Sequence, residues 1–294
     1  LDQVIAKGKN LGMRFVILFV NYWDELGGIS KYVEWATGTA DRNMNMFINN
    51  QDCQDTFKAY IETLLNRVNT VTGIAYKDEP AIAMWEIGNE LRNPNGTAEE
   101  LRDWYQERAQ FIKGIDANHL VATGEEGYDD SSLGTWNSEG KFINDKYSSE
   151  DYTNSYVLRA NQGTSFILNT QIPEIDVATC HWYPTVFGFG TTIDDPFLAS
   201  QKAFVLDHQN IAQAEGKPMF IGEYGFVGHG DARVLQCYSE LYLLIENNGI
   251  AGSLLWQLAA DWVKCWEYGG NVCYPAGRED IELFEAFKLH SESM

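Results

Sequence analysis

The sequence predicts an α/β chain of the (β/α)8 type, a TIM barrel presented without its first two β/α units. Three observations carry this reading. Short apolar runs alternate with amphipathic stretches, giving six strands, and strict alternation favours a parallel sheet. Helix-to-strand connections are short (116–119, 171–174, 216–217, 249–250), whereas strand-to-helix connections are long (21–51, 124–162, 183–196, 257–278). Long loops confined to the C-terminal ends of the strands are where a barrel builds its site. A doubly wound sheet is the alternative, but it ordinarily has a glycine-rich phosphate loop after its first strand, and none follows here. At 294 residues the chain suits one large domain, and we expect 1–294 to form a single catalytic barrel.

The elements follow in order. Residues 2–10 have the pattern of an amphipathic helix that stops at Asn10-Leu11-Gly12. Arg14–Val20 is an apolar run and reads as a buried strand, followed by a polar loop to residue 51. A helix is expected from about Asp52, as N-cap, to Thr72, with Gly73 near its end. Asp78-Glu79-Pro80 turns the chain into a buried strand at 81–87. Thr97-x-x-Glu100 is a capping box that opens the next helix. Leu120–Thr123 is a short strand, residues 128–161 read as loop, and Gly163–Thr170 as a short helix. Ile175–His181 is a strand, 197–215 a helix, and 220–222 the end of another strand. A helix over 232–247, a strand beginning at 253–256 and a helix over 279–289 complete the series.

Composition bounds the function. The chain carries 21 Lys+Arg against 42 Asp+Glu, a formal charge of −21, which repels a phosphate backbone and argues against nucleic acid. A neutral polymer would tolerate that acidity. No apolar run reaches the roughly 18 residues of a membrane span, so no membrane partner is expected. Cys180 lies in an apolar strand and reads as a buried thiol, while Cys265 could bridge Cys273 or either could pair with Cys237. No CxxC occurs and the five histidines are scattered, so we expect neither zinc nor any other cofactor. Asn95-Gly96-Thr97 is a glycosylation sequon in a turn, in keeping with a secreted, extracellular protein.

The strand ends concentrate chemistry. AMWEIGNE (83–90) ends in Asn89-Glu90, and MFIGEYG (219–225) carries Glu223 after a glycine. Asn21, Trp23, Glu126, His181, Tyr183 and Trp256 stand at the other ends. Sugar rings require this mixture, because their apolar faces stack on indole while amide and imidazole fix their hydroxyls. Glycoside hydrolysis needs one carboxyl kept protonated and one ionised, and the physical argument alone does not assign those roles. Singly, each residue has a plainer reading. A glutamate after a strand is ordinarily solvated, as Glu125 and Asp24 are expected to be; Trp256 and His181 could belong to the core. The coincidence of six such strand ends before long loops outweighs those readings.

The motifs IGNE, HWYP, IGEYG and LLWQ, in that order, resemble family 5 of the glycoside hydrolases. VNYWDELGG (20–28), NRVNTVTGIAYKDEPAIAMWEIGNELR (66–92) and FIKGIDANHLVATGEEGY (111–128) are similar to the eukaryotic-type endo-β-1,4-mannanases of that family. The resemblance runs over about residues 1–258 and implies a retaining enzyme acting on mannan, glucomannan or galactomannan by double displacement. It makes Glu90 the acid/base, Glu223 the nucleophile and Asn89 the contact to the sugar's 2-hydroxyl. His181 and Tyr183 would frame the nucleophile, Trp256 would lie under the sugar, and Trp23, Glu126 and Arg92 would be further substrate contacts. The two carboxyl groups are expected about 5–5.5 Å apart. Trp23, Trp182 and the Phe187/Phe189 loop are expected to add stacking platforms away from the cut.

Leu91 stands where the family usually has proline, a change outside the chemistry. The strand that brings an arginine to the nucleophile in the family has no counterpart before Leu1, so an additional segment or a partner is expected to fill that gap. A monomer acting on β-mannan is the favoured reading. An exo-β-mannosidase or β-1,4-glucanase on the same scaffold is the nearer alternative, and a catalytically silent carbohydrate-binding barrel the more distant one.

Overall fold

In the computed structural model, residues 1–130, 162–184, 195–226, 232–259 and 281–293 are described, with the short paired segments 135–136, 142–143 and 274–275. The chain divides into two compact units, one of residues 1–131 with 158–178 and the other of 132–157 with 179–294.

The first unit is built on a parallel sheet of β1 (Phe15–Leu18), β2 (Ile82–Glu86) and β3 (Leu120–Ala122), in that order. Val16, Ile17 and Leu18 stand opposite Met84, Trp85 and Glu86, and Met84 and Glu86 stand opposite Leu120 and Ala122. Ala122 also bridges Val177 in parallel. β2, central among these strands, is apolar through Ile82–Trp85 and almost wholly buried, as a parallel strand paired on both sides should be. β1 is only half-buried and Leu18 is exposed, which corrects the expectation of a buried strand there.

Helices cover this sheet. α1 (Asp2–Asn10) is tied down by Asp2, whose carboxylate accepts bonds from Arg67 Nε and Nη2 at 2.9 and 2.7 Å and from Thr70 Oγ1 at 2.7 Å. The stretch expected as a polar loop from 21 to 51 instead contains α2 (Gly28–Thr37) and α3 (Met44–Asn49). Ile29 and Val33, one turn apart, bury in the core from α2, and Asn43 caps α3 by accepting from Met46 N at 3.2 Å. α4 spans Gln51–Asn66, shorter than expected and capped two residues before Asp52: Asn50 Oδ1 accepts from Cys53 N at 3.1 Å. Beyond Asn66 the chain leaves the helix, because Val68 bridges Ala75 and Asn69 Oδ1 accepts from Val71 N and Thr72 N.

α5 (Ala98–Ile115) begins with the expected capping box: Glu100 N donates to Thr97 Oγ1 at 3.1 Å, and Thr97 N to Glu100 Oε2 at 2.9 Å. Removing such a cap costs about 1 kcal/mol. Leu101, Trp104, Tyr105, Arg108, Ala109 and Ile112 form its buried stripe. The short α6 (Phe166–Thr170) is capped by Ser165.

In the second unit β6 (Ala178–Trp182), β7 (Met219–Tyr224) and β8 (Gly252–Leu255) form a parallel sheet in that order, with Phe220 opposite Gly252 and Tyr224 opposite Leu255. α7 (Asp195–Ala214), α8 (Ala232–Asn248) and α9 (Ile281–Ser293) accompany it. The Tyr242 ring stacks on His290 at 3.9 Å and meets Phe287 edge-on, which joins α8 to α9. Two small pairings complete the described structure: β4 (Thr135–Trp136) with β5 (Phe142–Ile143), antiparallel, and β9 (Leu258–Ala259) with β10 (Tyr274–Pro275), parallel.

Candidate active site

The candidate residues fall into two groups, one in each unit. In the first, the chain leaving β2 remains stitched to both neighbours after the strand formally ends. Gly88 N donates to Thr123 O at 3.2 Å, Asn89 N to Val20 O at 2.8 Å and Glu90 N to Gly124 O at 2.8 Å. Gly124 is required here: its φ is +76°, and a Cβ would stand 2.4 Å from Gly88 O. Glu90 itself has φ +55°, in the left-handed region that a non-glycine residue rarely occupies and that costs on the order of 1 kcal/mol. That conformation persists because the flanking strands fix the backbone, and strain of this kind concentrates at functional sites.

The Glu90 side chain meets Trp23, whose indole Nε1–H donates to Glu90 Oε2 at 2.6 Å. Asn21 orders both neighbours, accepting from Trp23 N and from Asn89 Nδ2, each at 3.2 Å. Arg92 forms a two-pronged pair with Glu126, Nε to Oε2 at 2.6 Å and Nη2 to Oε1 at 2.5 Å, and donates to Gln162 Oε1 at 3.0 Å. Its guanidinium carbon also lies 5.2 Å from the Trp23 ring centre and 5.1 Å from that of Tyr128. Burial pulls the Arg92 pKa down, but the hydrogen bonds and charge of Glu126 outweigh it and hold the group above its ordinary range. Asn89, Glu90, Trp23, Arg92 and Glu126 are thus gathered in one cluster. Tyr128, Gln162 and Asn21 belong to it as well. Gln162 follows a low-complexity polar stretch and carries no signal in the sequence.

Glu125 contradicts its reading as a solvated residue. It is buried, accepting from Thr123 Oγ1 at 2.9 Å and Asn169 Nδ2 at 3.0 Å. Asn169 arrives from α6, remote in sequence, so the adjacency of Glu125 and Glu126 could not separate their surroundings.

In the second unit Glu223 lies inside β7 rather than beyond its end, next to last in the strand. Tyr183 Oη donates to Glu223 Oε2 at 2.6 Å, and His181 Nδ1 lies 3.8 Å from the same oxygen. Gly222 gives His181 its room, since a Cβ there would come within 3.1 Å of the imidazole Nε2. Hydroxyl donation to a carboxylate favours its charged form. Trp256 follows β8; its backbone N donates to Tyr224 O at 2.9 Å, its side chain is partly exposed, and the peptide after it is cis. It is therefore not a core residue.

Trp182 is one, which corrects its reading as a platform. It is fully buried, stacked on Phe204 at 4.6 Å, with Nε1–H donating to Gln201 Oε1 at 3.1 Å. A tryptophan satisfied in this way on both its face and its N–H offers no surface to a sugar. Phe187, Phe189, Cys265 and Cys273 lie outside the described residues. Cys180 is buried, as expected, and so are Cys53 and Cys237.

Each unit thus holds one glutamate near the C-terminal end of a strand, accepting from an aromatic donor: Glu90 from Trp23 and Glu223 from Tyr183. A family model described as glycoside hydrolase family 5 β-mannosidase-like matches residues 1–166. The chain belongs to that family. It is 33% identical over 287 residues to mannan endo-1,4-beta-mannosidase 1 of Solanum lycopersicum, covering 95% of this chain and 67% of that protein. It therefore spans about two thirds of the length of the plant relatives it matches. Among solved structures, the hyperthermostable endo-1,4-beta-D-mannanase of Thermotoga petrophila superposes with a TM-score of 0.81 at 27% identity, over 99% of this chain and 78% of that one. The endo-1,4-beta-mannanase of Rhizomucor miehei gives 0.79 at 26%, over 99% and 75%. The α/β architecture is that of these enzymes.

Proposed function

We propose that the protein is a retaining endo-β-1,4-mannanase built on a (β/α)8 barrel, acting as a monomer on extracellular β-mannan. The observation that carries the reading is one glutamate near the C-terminal end of a strand in each unit, Glu90 after β2 and Glu223 in β7, in a chain of glycoside hydrolase family 5. Glu223 takes a hydrogen bond from the Tyr183 hydroxyl and has the imidazole of His181 nearby. Glu90 takes its bond from the Trp23 indole on a strained strand end. In the first step a Glu223 oxygen bonds to C1 of the sugar as the C1–O bond to the leaving chain breaks, and Glu90 gives its proton to that oxygen. In the second step Glu90 takes a proton from water, whose oxygen bonds to C1 and displaces Glu223. Asn89 would bind the 2-hydroxyl, and Trp256 would lie beneath the ring.

Mannan is preferred over glucan because the plant relatives are named as mannan endo-1,4-β-mannosidases and are more than 30% identical. The test is product analysis on linear mannan, glucomannan, galactomannan and carboxymethylcellulose. The expected result is di- and trisaccharides from the mannans and little from the cellulose derivative. Equal rates on cellulose would overturn the mannan assignment, and release of mannose alone would make the enzyme exo-acting.

A further inference from the structure

Trp23 does more than contact a carboxylate, because two cations lie over its ring. The guanidinium carbon of Arg92 is 5.2 Å from the ring centre, and that of Arg42 is 4.8 Å from it. Arg42 belongs to the connection between α2 and α3 and has no place in the reading above. It also lies 5.4 Å from the Tyr22 ring centre, and Tyr22 packs edge-on against Trp23 at 5.3 Å. Arg42 Nη1 is 4.0 Å from Asp24 Oδ2, and Asp24 Oδ1 accepts from Ser30 Oγ, on α2, at 2.7 Å. The arginine is thus placed by its own neighbours while its guanidinium lies over the indole.

We propose that Arg42 is a positioning residue for the general acid, acting through the Trp23 ring on the Glu90 carboxyl; this rests on the reading of Glu90 as acid/base. A cation over an indole face fixes the ring and draws electron density from it, which makes the ring N–H a better donor. That N–H is the bond that orients Glu90, at 2.6 Å. The orientation matters because the Glu90 backbone is held in a conformation its own preferences oppose. With guanidinium groups at these distances over its ring, Trp23 serves the site through its N–H rather than as an open stacking face. The sequence offers no sign of this, since Arg42 lies among polar residues of a connection.

The test separates acid catalysis from every other contribution through the leaving group. Cleavage of mannotetraose requires a proton on the departing oxygen, whereas 2,4-dinitrophenolate departs without one. kcat/KM reports the first chemical step in both cases. For Arg42→Ala we expect kcat/KM on mannotetraose to fall about five- to tenfold, a small part of the 10²–10⁴ that general acid catalysis supplies. On 2,4-dinitrophenyl β-mannobioside it should change less than about twofold, on the same reasoning. Arg42→Lys, which keeps the cation, should recover part of the loss and guards against a folding defect in the alanine variant. Equal losses on both substrates, or no loss on either, would overturn the proposal. Glu90→Ala, measured alongside, should show the same leaving-group contrast in a larger form. If it does and Arg42→Ala does not, the role of Arg42 fails alone; if it does not, the assignment of Glu90 fails first.

Discussion

The Tyr183 hydroxyl donates to Glu223 Oε2 at 2.6 Å, a bond made between the ends of two neighbouring strands. In the proposed mechanism Glu223 attacks as a carboxylate, which makes this a charge-assisted bond. Bonds of this type are worth about 1.5–3 kcal/mol. Tyr183→Phe should therefore reduce kcat/KM on mannotetraose by about tenfold to a hundredfold, by that same energy. The change removes one oxygen and keeps the ring, so the thermal midpoint should move little. A large fall in the midpoint with activity preserved would assign the bond to stability instead.

The Arg92–Glu126 pair predicts a stability effect. Glu126 is buried, with its side chain 4% exposed, and the Arg92 side chain is 18% exposed. Removing one partner of such a pair strands a charge and costs about 3–5 kcal/mol. Arg92→Ala should lower the denaturant midpoint accordingly, and Glu126→Ala similarly. Lys58→Ala breaks an exposed pair with Glu107 and should cost less than about 1 kcal/mol. Urea unfolding of the three variants would check this; equal midpoints for Arg92→Ala and Lys58→Ala would contradict it.

A third prediction concerns pH. His119 Nδ1 lies 2.6 Å from Asp116 Oδ2 and Nε2 lies 3.0 Å from Glu79 O, so both ring nitrogens face acceptors and the imidazolium satisfies both. Burial pulls the His119 pKa down, but the hydrogen bond to Asp116, the Glu79 carbonyl and the nearby negative charge raise it above its usual value. Burial pushes the Asp116 carboxyl up, but hydrogen bonds from His119 and Trp85 hold it below its usual value. The histidine's contribution to stability is thus complete below its unfolded pKa of about 6.5 and is lost as pH rises through the folded value. The aspartate's contribution is present above about pH 4 and is lost as pH falls through its lowered value. His119→Gln should flatten the decline in unfolding free energy as pH rises above about 6.5. Parallel pH profiles for the two proteins would contradict this.

Much of the framework was legible in the sequence, and what escaped it has physical causes. The apolar run into Asn89-Glu90 and the Thr97–Glu100 capping box state their structure locally, through burial and a reciprocal pair of hydrogen bonds. α2 and α3 were hidden because their polar surface residues resemble a loop, and Asn43 and Asn50 serve equally well as turn residues and as caps. The surroundings of Glu125 and Trp182 depend on Asn169 and Phe204, which no local pattern connects to them. β6 is buried along its whole length, so side-chain alternation could not show that Trp182 is core. The motifs single out Glu90 and Glu223 as candidates, but not Arg42, whose guanidinium lies over Trp23 from a connecting segment.

The double displacement proposed at Glu223 determines which anomer is released first. Proton NMR of mannotetraose hydrolysis, recorded in the first minutes before mutarotation, tests it most directly. The newly formed reducing ends are expected to appear first as the β-anomer and only later to equilibrate. Initial accumulation of the α-anomer would mean a single displacement by water and would contradict the assignment of Glu223 as nucleophile.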